Sequence, residues 1–424
     1  PHVLRRRQRQ MCIRDSFNTY LLTGDIFTAC ETVKRQMSIA AAPQWLKADI
    51  ACRALKGDHA GARLALDVLK ESGFADVFFE QLISSLNPQR QQLSLTSETA
   101  TWPLDVEPTA LLFALGRAKG LMLPDLPEDQ PLMHMAVALS PASSIWDRLI
   151  VSETMVNDGR LDAGQLAAIS LNLGVNQIDQ DTCEEYQNLV ARLSSFQLAA
   201  MTADPALRIA ALRDLWRNAE RDGVFPAWAF ASRELILSVE PSISYVEAAP
   251  DIVRVLSLIG ASQRVSDWYQ MVRASSSPEI AGPVNAVIAT NALLEIWPLA
   301  LIHDEQARVP FSSRIVDLWW QYQLNKPGEN HAHKALMLFH LLDAFNYDVA
   351  AENWALLDGF GAGLPLPLLD EENWTAFRRA VEDQQIGAVV LGALQVLGLD
   401  NASQKPPNEL REVIVGLTEV GLEV

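Results

Sequence analysis

The sequence predicts an all-α protein of stacked helical hairpins, a tetratricopeptide-like α-solenoid or curved helical superhelix. Three observations carry that prediction. Apolar residues recur at spacings of three and four along most of the chain, which is the period of one helix face. No run of alternating β-branched residues is long enough to build a sheet. Two Gly-Asp pairs, at 24–25 and 57–58, stand 33 residues apart, close to the roughly 34-residue period of tetratricopeptide hairpins.

The helical pattern is expected from residue 17. Residues 6–16, Arg-Arg-Gln-Arg-Gln-Met-Cys-Ile-Arg-Asp-Ser, match one frame of the transposon-end adapter used in sequencing libraries, so residues 1–16 are expected to lie outside the fold. After Gly24, Asp25 caps a helix whose stripe is Ile26, Cys30, Val33 and Met37. Pro43 opens the next, with Trp45, Ala48, Cys52 and Leu55 on one face. Gly57-Asp58 starts a third that closes at Gly73, and 75–86 supplies a fourth. These make a hairpin domain over 17–88. Residues 89–107 are polar, rich in Ser and Thr, and contain Pro103, the composition of a linker.

A larger helical domain is expected over 108–424. Its segments are 108–120, 130–139, 141–157, a helix opened by Asp204-Pro205 and ended by Gly223, and a pair hinged at Gly260 (251–259 and 262–272). Further helices are expected at 312–324, 332–345, 371–381 and 386–397. The segment 408–424 stops in mid-pattern with no evident C-cap, so truncation is expected at that end.

With 49% hydrophobic and 20% charged residues, the chain can bury a substantial core. Its formal charge is −18, and −22 without the five arginines and one aspartate of residues 1–16. No Lys/Arg run remains to displace counterions from a phosphate backbone, which excludes nucleic acid as a partner. No transmembrane segment is predicted. The apolar run 386–399 contains Gln395 and three glycines and reads as a buried helix, and 281–302 is interrupted by Asn285, Asn291 and Glu295.

Three stretches have a family likeness. They are 22–73, with Thr-Ala-Cys, Pro-Gln-Trp-Leu-Lys-Ala, Ala-Cys-Arg-Ala-Leu-Lys-Gly-Asp and Leu-Asp-Val-Leu-Lys-Glu; 189–223, with Ala-Asp-Pro-Ala-Leu-Arg and Leu-Trp-Arg-Asn-Ala-Glu-Arg-Asp-Gly; and 296–302, Ile-Trp-Pro-Leu-Ala-Leu-Ile. In these the chain resembles a group of alphaproteobacterial helical proteins labelled antifreeze glycopeptide polyprotein-like. The resemblance implies an envelope-directed helical protein. It does not imply ice binding here, since the Ala-Ala-Thr repeat that would carry sugars at regular intervals is missing.

Candidate chemistry is sparse. Cys30 and Cys52 lie on the apolar stripes of two neighbouring helices, roughly level across the seam between them. They are either a disulfide, which implies an oxidising compartment, or two buried thiols. Cys183 has no evident partner. Glu329, His331, His333 and His340 form the one histidine cluster. His331 and His333 do not share a helical face, and His333 and His340 are two turns apart, so this remains a weak metal candidate. Asp358-Gly359-Phe360-Gly361-Ala362-Gly363 lacks the preceding strand and following helix of a phosphate loop. No cofactor is predicted. No nucleophile or zinc-protease motif is present. Trp319, Trp320 and Tyr322 are candidate interface aromatics, because adjacent tryptophans on a helix point about 100° apart.

The expected function is a non-enzymatic scaffold or protein-interaction module of the cell envelope, periplasmic with a cytoplasmic alternative, gripping protein partners in an acidic concave surface. The alternative from another class is an α/α-toroid-like carbohydrate-active or cell-wall hydrolase using paired carboxylates.

Overall fold

The computed structural model describes residues 2–39, 43–87, 102–103, 106–119, 121, 130–140, 143–172, 186–304, 306, 308–327, 330–357, 371–397 and 406–422, with side chains from residue 13 onward, those of 371 and 372 excepted. Among the described residues there are 22 α-helices, one 3₁₀ turn and no strand, so the protein is all-α. Two bodies divide the chain, residues 1–235 and 236–424.

The first body begins with α1 (His2–Thr23), α2 (Ile26–Met37), α3 (Pro43–Leu55), α4 (His59–Glu71) and α5 (Val77–Ser85). Each Gly-Asp pair works as a joint. Gly24 and Gly57 take φ of 82° and 83°, a left-handed turn that only glycine adopts without strain. The following Asp25 and Asp58 accept the amides of Thr28 and Gly61 at 3.0 and 2.9 Å. Asp76 caps α5 through the Phe79 amide in the same way. Such a cap stabilises a helix by ~1 kcal/mol.

One core joins Phe17, Leu21 and Leu22 of α1 to Cys30 and Val33 of α2 and to Trp45, Ala48 and Cys52 of α3. Ile13 packs against it, so the ordered contacts reach into residues 1–16. A second core joins α3, α4 and α5 through Ile50, Leu66, Leu69, Phe79 and Leu82.

The expected domain boundary at 89–107 is not where the chain divides. Helix α6 (Ala110–Lys119) returns to pack on α1, α3 and α5, and it is buried from Leu112 through Arg117. Ala110, Phe113 and Ala114 enter the first core, while Leu112 and Leu115 enter the second. Trp102, inside the polar stretch, is itself a core residue. Its ring edge meets Phe78 at 5.0 Å and its indole N–H donates to the Val106 carbonyl at 2.8 Å. Polar composition marked a linker, yet one tryptophan and the helix after it tie both sides into one body.

The first body continues through α7 (Pro131–Leu139), α8 (Ile145–Asn157), α9 (Ala163–Asn172), α10 (Gln187–Met201), α11 (Pro205–Arg221) and α12 (Phe225–Ala231). Consecutive helices pack in pairs, as hairpins do, and α12 folds back onto α8 and α9. Short α13 (Arg233–Leu237) spans the division.

In the second body a 3₁₀ turn (Ile243–Ala248) precedes α14 (Ala249–Leu258), α15 (Ser262–Ser275) and α16 (Pro278–Ile302), which pack together. Helix α16 is the one described helix long and apolar enough to cross a membrane. It breaks at Gly282, where φ is 75° and ψ 162°, and Glu295 on it pairs with Lys326 at 2.6 Å. Next come α17 (Ser313–Leu324), α18 (His331–Ala344) and α19 (Ala351–Ala355).

The last three helices are α20 (Glu371–Glu382), α21 (Ile386–Leu397) and α22 (Pro407–Glu419). They meet on Phe377, which lies over Gly392 of α21 and Gly416 of α22. Helix α22 does not run to the end of the sequence, as the pattern suggested. It stops at Glu419, where Gly421 takes φ of 79° and Leu422 N–H bonds the Leu417 carbonyl at 3.0 Å, a glycine C-cap.

These contacts separate two glycine substitutions. A Cβ on Gly416 would sit 2.6 Å from Phe377 Cζ, whereas one on Gly387 of α21 meets nothing within 4 Å. Gly416→Ala is expected to destabilise by about 1–3 kcal/mol through overpacking. Gly387→Ala should stabilise by up to about 1 kcal/mol through helix propensity. Thermal melts of both variants check this, and shifts of the same sign would refute the packing argument.

Candidate functional site

Surface chemistry on this chain is set by helices that break the amphipathic rule. From Ile386 to Leu397, α21 contains no charged residue. Its inner face is Val389, Gly392, Ala393 and Val396, all buried. Ile386, Val390 and Leu394, at intervals of four, form a stripe on the opposite side with Leu391 beside it, and all four are exposed, Leu391 at 65%. A solvated helix carries polar groups there. Covering such side chains is worth about 1.5–3 kcal/mol each. This stripe is the candidate interaction surface, and sequence reading missed it. The charge-free run was visible, but it was assigned to a buried helix.

A polar cleft of about 320 Å³ lies at the N-terminus of α15, lined by Ser262, Arg264, His303, Asp304 and Arg308 among others. Ser262 Oγ and His303 Nδ1 are 3.2 Å apart. The hydroxyl–imidazole pair resembles the start of a nucleophilic relay. The adjacent carboxylate is otherwise engaged, since Asp304 accepts the amides of Gln306 and Val309. Arg264 is likewise held, donating to the Val239 carbonyl and to Glu240.

Two carboxylates converge in the first body. Arg192 of α10 grips Glu153 of α8 with two bonds of 2.7 and 2.8 Å and also bonds Asp222, at the end of α11. The Trp228 indole N–H donates to Glu153, and the Asn188 amide to Asp222. Acid–base work on a glycan needs such a pair at an open cleft, one of them protonated. Here the Glu153 and Arg192 side chains are only 7% and 6% exposed, and one guanidinium is bonded to both acids. The cluster pins three helices together.

Of the predicted site residues, Cys30 and Cys52 are joined as a disulfide, with Cα atoms 5.6 Å apart, inside the first core. Trp319 and Trp320 are not surface anchors. They are 4% and 2% exposed, because α17 packs against α16 on one side and α18 and α19 on another. The large outward-facing residue of α17 is Leu318. Tyr322 is half-buried and donates to Glu295 Oε2 at 3.0 Å, with Lys326 5.0 Å from its ring centre. Burial and the Glu295 carboxylate push its phenol well above the usual tyrosine range.

His331 and His333 are half-buried at the start of α18. His340 sets its ring edge against Trp354 at 5.2 Å. Among the described residues no three His, Cys, Asp or Glu side chains gather as metal ligands would. Glu329, Cys183 and the glycine run 358–363 lie outside the described residues. Compared with protein-family models, curated proteins and solved structures, the chain matches none.

Two predictions follow from the buried charges. Arg192→Ala leaves buried Glu153 without its counter-ion and is expected to destabilise the first body by about 3–5 kcal/mol in urea unfolding. A loss within the error of that measurement would show that the cluster contributes nothing. For His340, burial lowers the pKa, Arg411 lowers it further and Asp343 opposes. The unfolded histidine takes up a proton below about pH 6.5 while the folded one resists. Stability from this group is therefore full above about pH 6.5 and lost as pH falls toward the folded value. His340→Gln should show a smaller loss in urea midpoint between neutral and mildly acidic buffer than the wild type.

Proposed function

We propose that the chain is a non-enzymatic helical scaffold of the bacterial envelope that holds a protein partner on the outer face of α21. The observation that carries this reading is the exposure of Ile386, Val390, Leu391 and Leu394 on a helix whose inner face is also apolar. Contiguous apolar patches of this kind mark interaction sites on soluble proteins. An amphipathic groove or helix from a partner would bury them in the manner of a helix pair. The Cys30–Cys52 bond supports an oxidising compartment such as the periplasm, since cytosolic thiols are kept reduced.

The test is photo-crosslinking in an alphaproteobacterial host, with the reactive group at Leu391 and, as control, at exposed Glu382 on α20. A discrete adduct is expected from position 391 and not from 382, and Leu394→Glu should abolish it. Equal labelling at both positions, or release of soluble fragments when the purified chain is incubated with peptidoglycan, would overturn the proposal.

A further inference from the structure

Helix α16 carries no charge between Glu279 and Glu295. From the break at Gly282 to Ala292 its inner face is built from small residues, with Ala286, Ala289 and Ala292 buried, and only beyond Glu295 do large side chains, Ile296, Trp297 and Leu301, turn inward. In the first stretch the larger apolar side chains point the other way. Val284 is 72% exposed and Val287 63%, with Ile288 beside them. A solvated amphipathic helix has the reverse arrangement, and a helix apolar on all sides is normally covered on all sides. Helices α14 and α15, the 3₁₀ turn and α17 cover the rest of its circumference and leave Val284, Val287 and Ile288 facing solvent.

The spacing of the uncovered face says what fits it. Residues 284, 287, 291 and 294 follow the three-four-three interval of a coiled-coil seam, and they read Val, Val, Asn and Leu. Asn291 is exposed at a core position of that seam, where a single asparagine sets the register of paired helices. Its carboxamide offers both donors and an acceptor, so it complements its own copy across a two-fold axis. A bilayer would leave that amide without a partner. Charge points the same way. Two copies of a chain at −18 repel each other except where the contact surface is neutral, and Glu295 at one end of this stripe is paired with Lys326. Thr290, the other exposed polar side chain near the seam, already donates to the Ala286 carbonyl at 2.8 Å.

We propose that the outer face of α16 pairs with the same face of a second copy of this chain, with Asn291 meeting Asn291 at the axis. The inference rests on α16 alone and stands or falls independently of a partner on α21.

Sedimentation equilibrium of the full chain across the micromolar range should give twice the monomer mass. The double variant Val284→Glu/Val287→Glu should be monomeric with an unchanged circular-dichroism melt, since both sites are solvent-facing. Asn291→Cys should form an intermolecular disulfide under mild oxidation above the wild-type background, and Gln321→Cys, an exposed position on α17, should not. A monomeric wild type, a dimer that survives both glutamates, or equal cross-linking at 291 and 321 would overturn the proposal. So would flotation of the wild type, lost in the double variant, with phosphatidylglycerol–phosphatidylethanolamine vesicles, which would assign the face to a membrane.

Discussion

Phe113 and Leu115 leave α6 on opposite sides and enter two different cores, and the first body depends on that division. A ten-residue helix buried from Leu112 through Arg117 is expensive to expose and cannot stand alone. Its Arg117 completes the arrangement. The guanidinium donates to the carbonyls of Leu21 and Leu22 at 2.6 and 3.0 Å, satisfying the open end of α1. The same group lies 4.9 Å from the Phe113 ring centre. Trp102 then closes over Gly116, where a Cβ would approach the indole to 2.9 Å.

The Arg192 cluster does for α8, α10 and α11 what α6 does for the hairpins before it, by a different physical route. Burying an ion pair is not in itself a large gain, because desolvation offsets most of the attraction. Its effect is specificity: Glu153, Asp222 and the Trp228 indole can all be satisfied only when the helices adopt one register around the guanidinium. Phe377 gives the last three helices a similar single solution by shape, since only glycines at 392 and 416 leave room for its ring.

Local signals in the sequence were legible and long-range ones were not. The Gly-Asp joints at 24–25 and 57–58 announce themselves because turn and cap are encoded in adjacent residues. The bounds of α21 coincide with the helix expected at 386–397. The level positions of Cys30 and Cys52 followed from helix geometry. The return of α6 was invisible, because composition at 89–107 says nothing of where Trp102 will pack. For Trp319 and Trp320 the number of neighbours around α17 decides burial, and periodicity carries no count of neighbours. The apolar outer face of α21 was misassigned for the same reason: an apolar run shows that a face wants cover, not whether its own chain supplies it.

The contact from Arg117 to Leu21 spans 96 residues. During synthesis, therefore, α1 to α5 emerge with two half-built cores, and Phe17, Leu21, Phe79 and Leu82 stay open until α6 leaves the ribosome. The N-terminal hairpins are a waiting surface rather than an early folded module, in line with the slow closure of non-local contacts. A nascent chain halted before α6 has emerged would present that surface to chaperones and proteases.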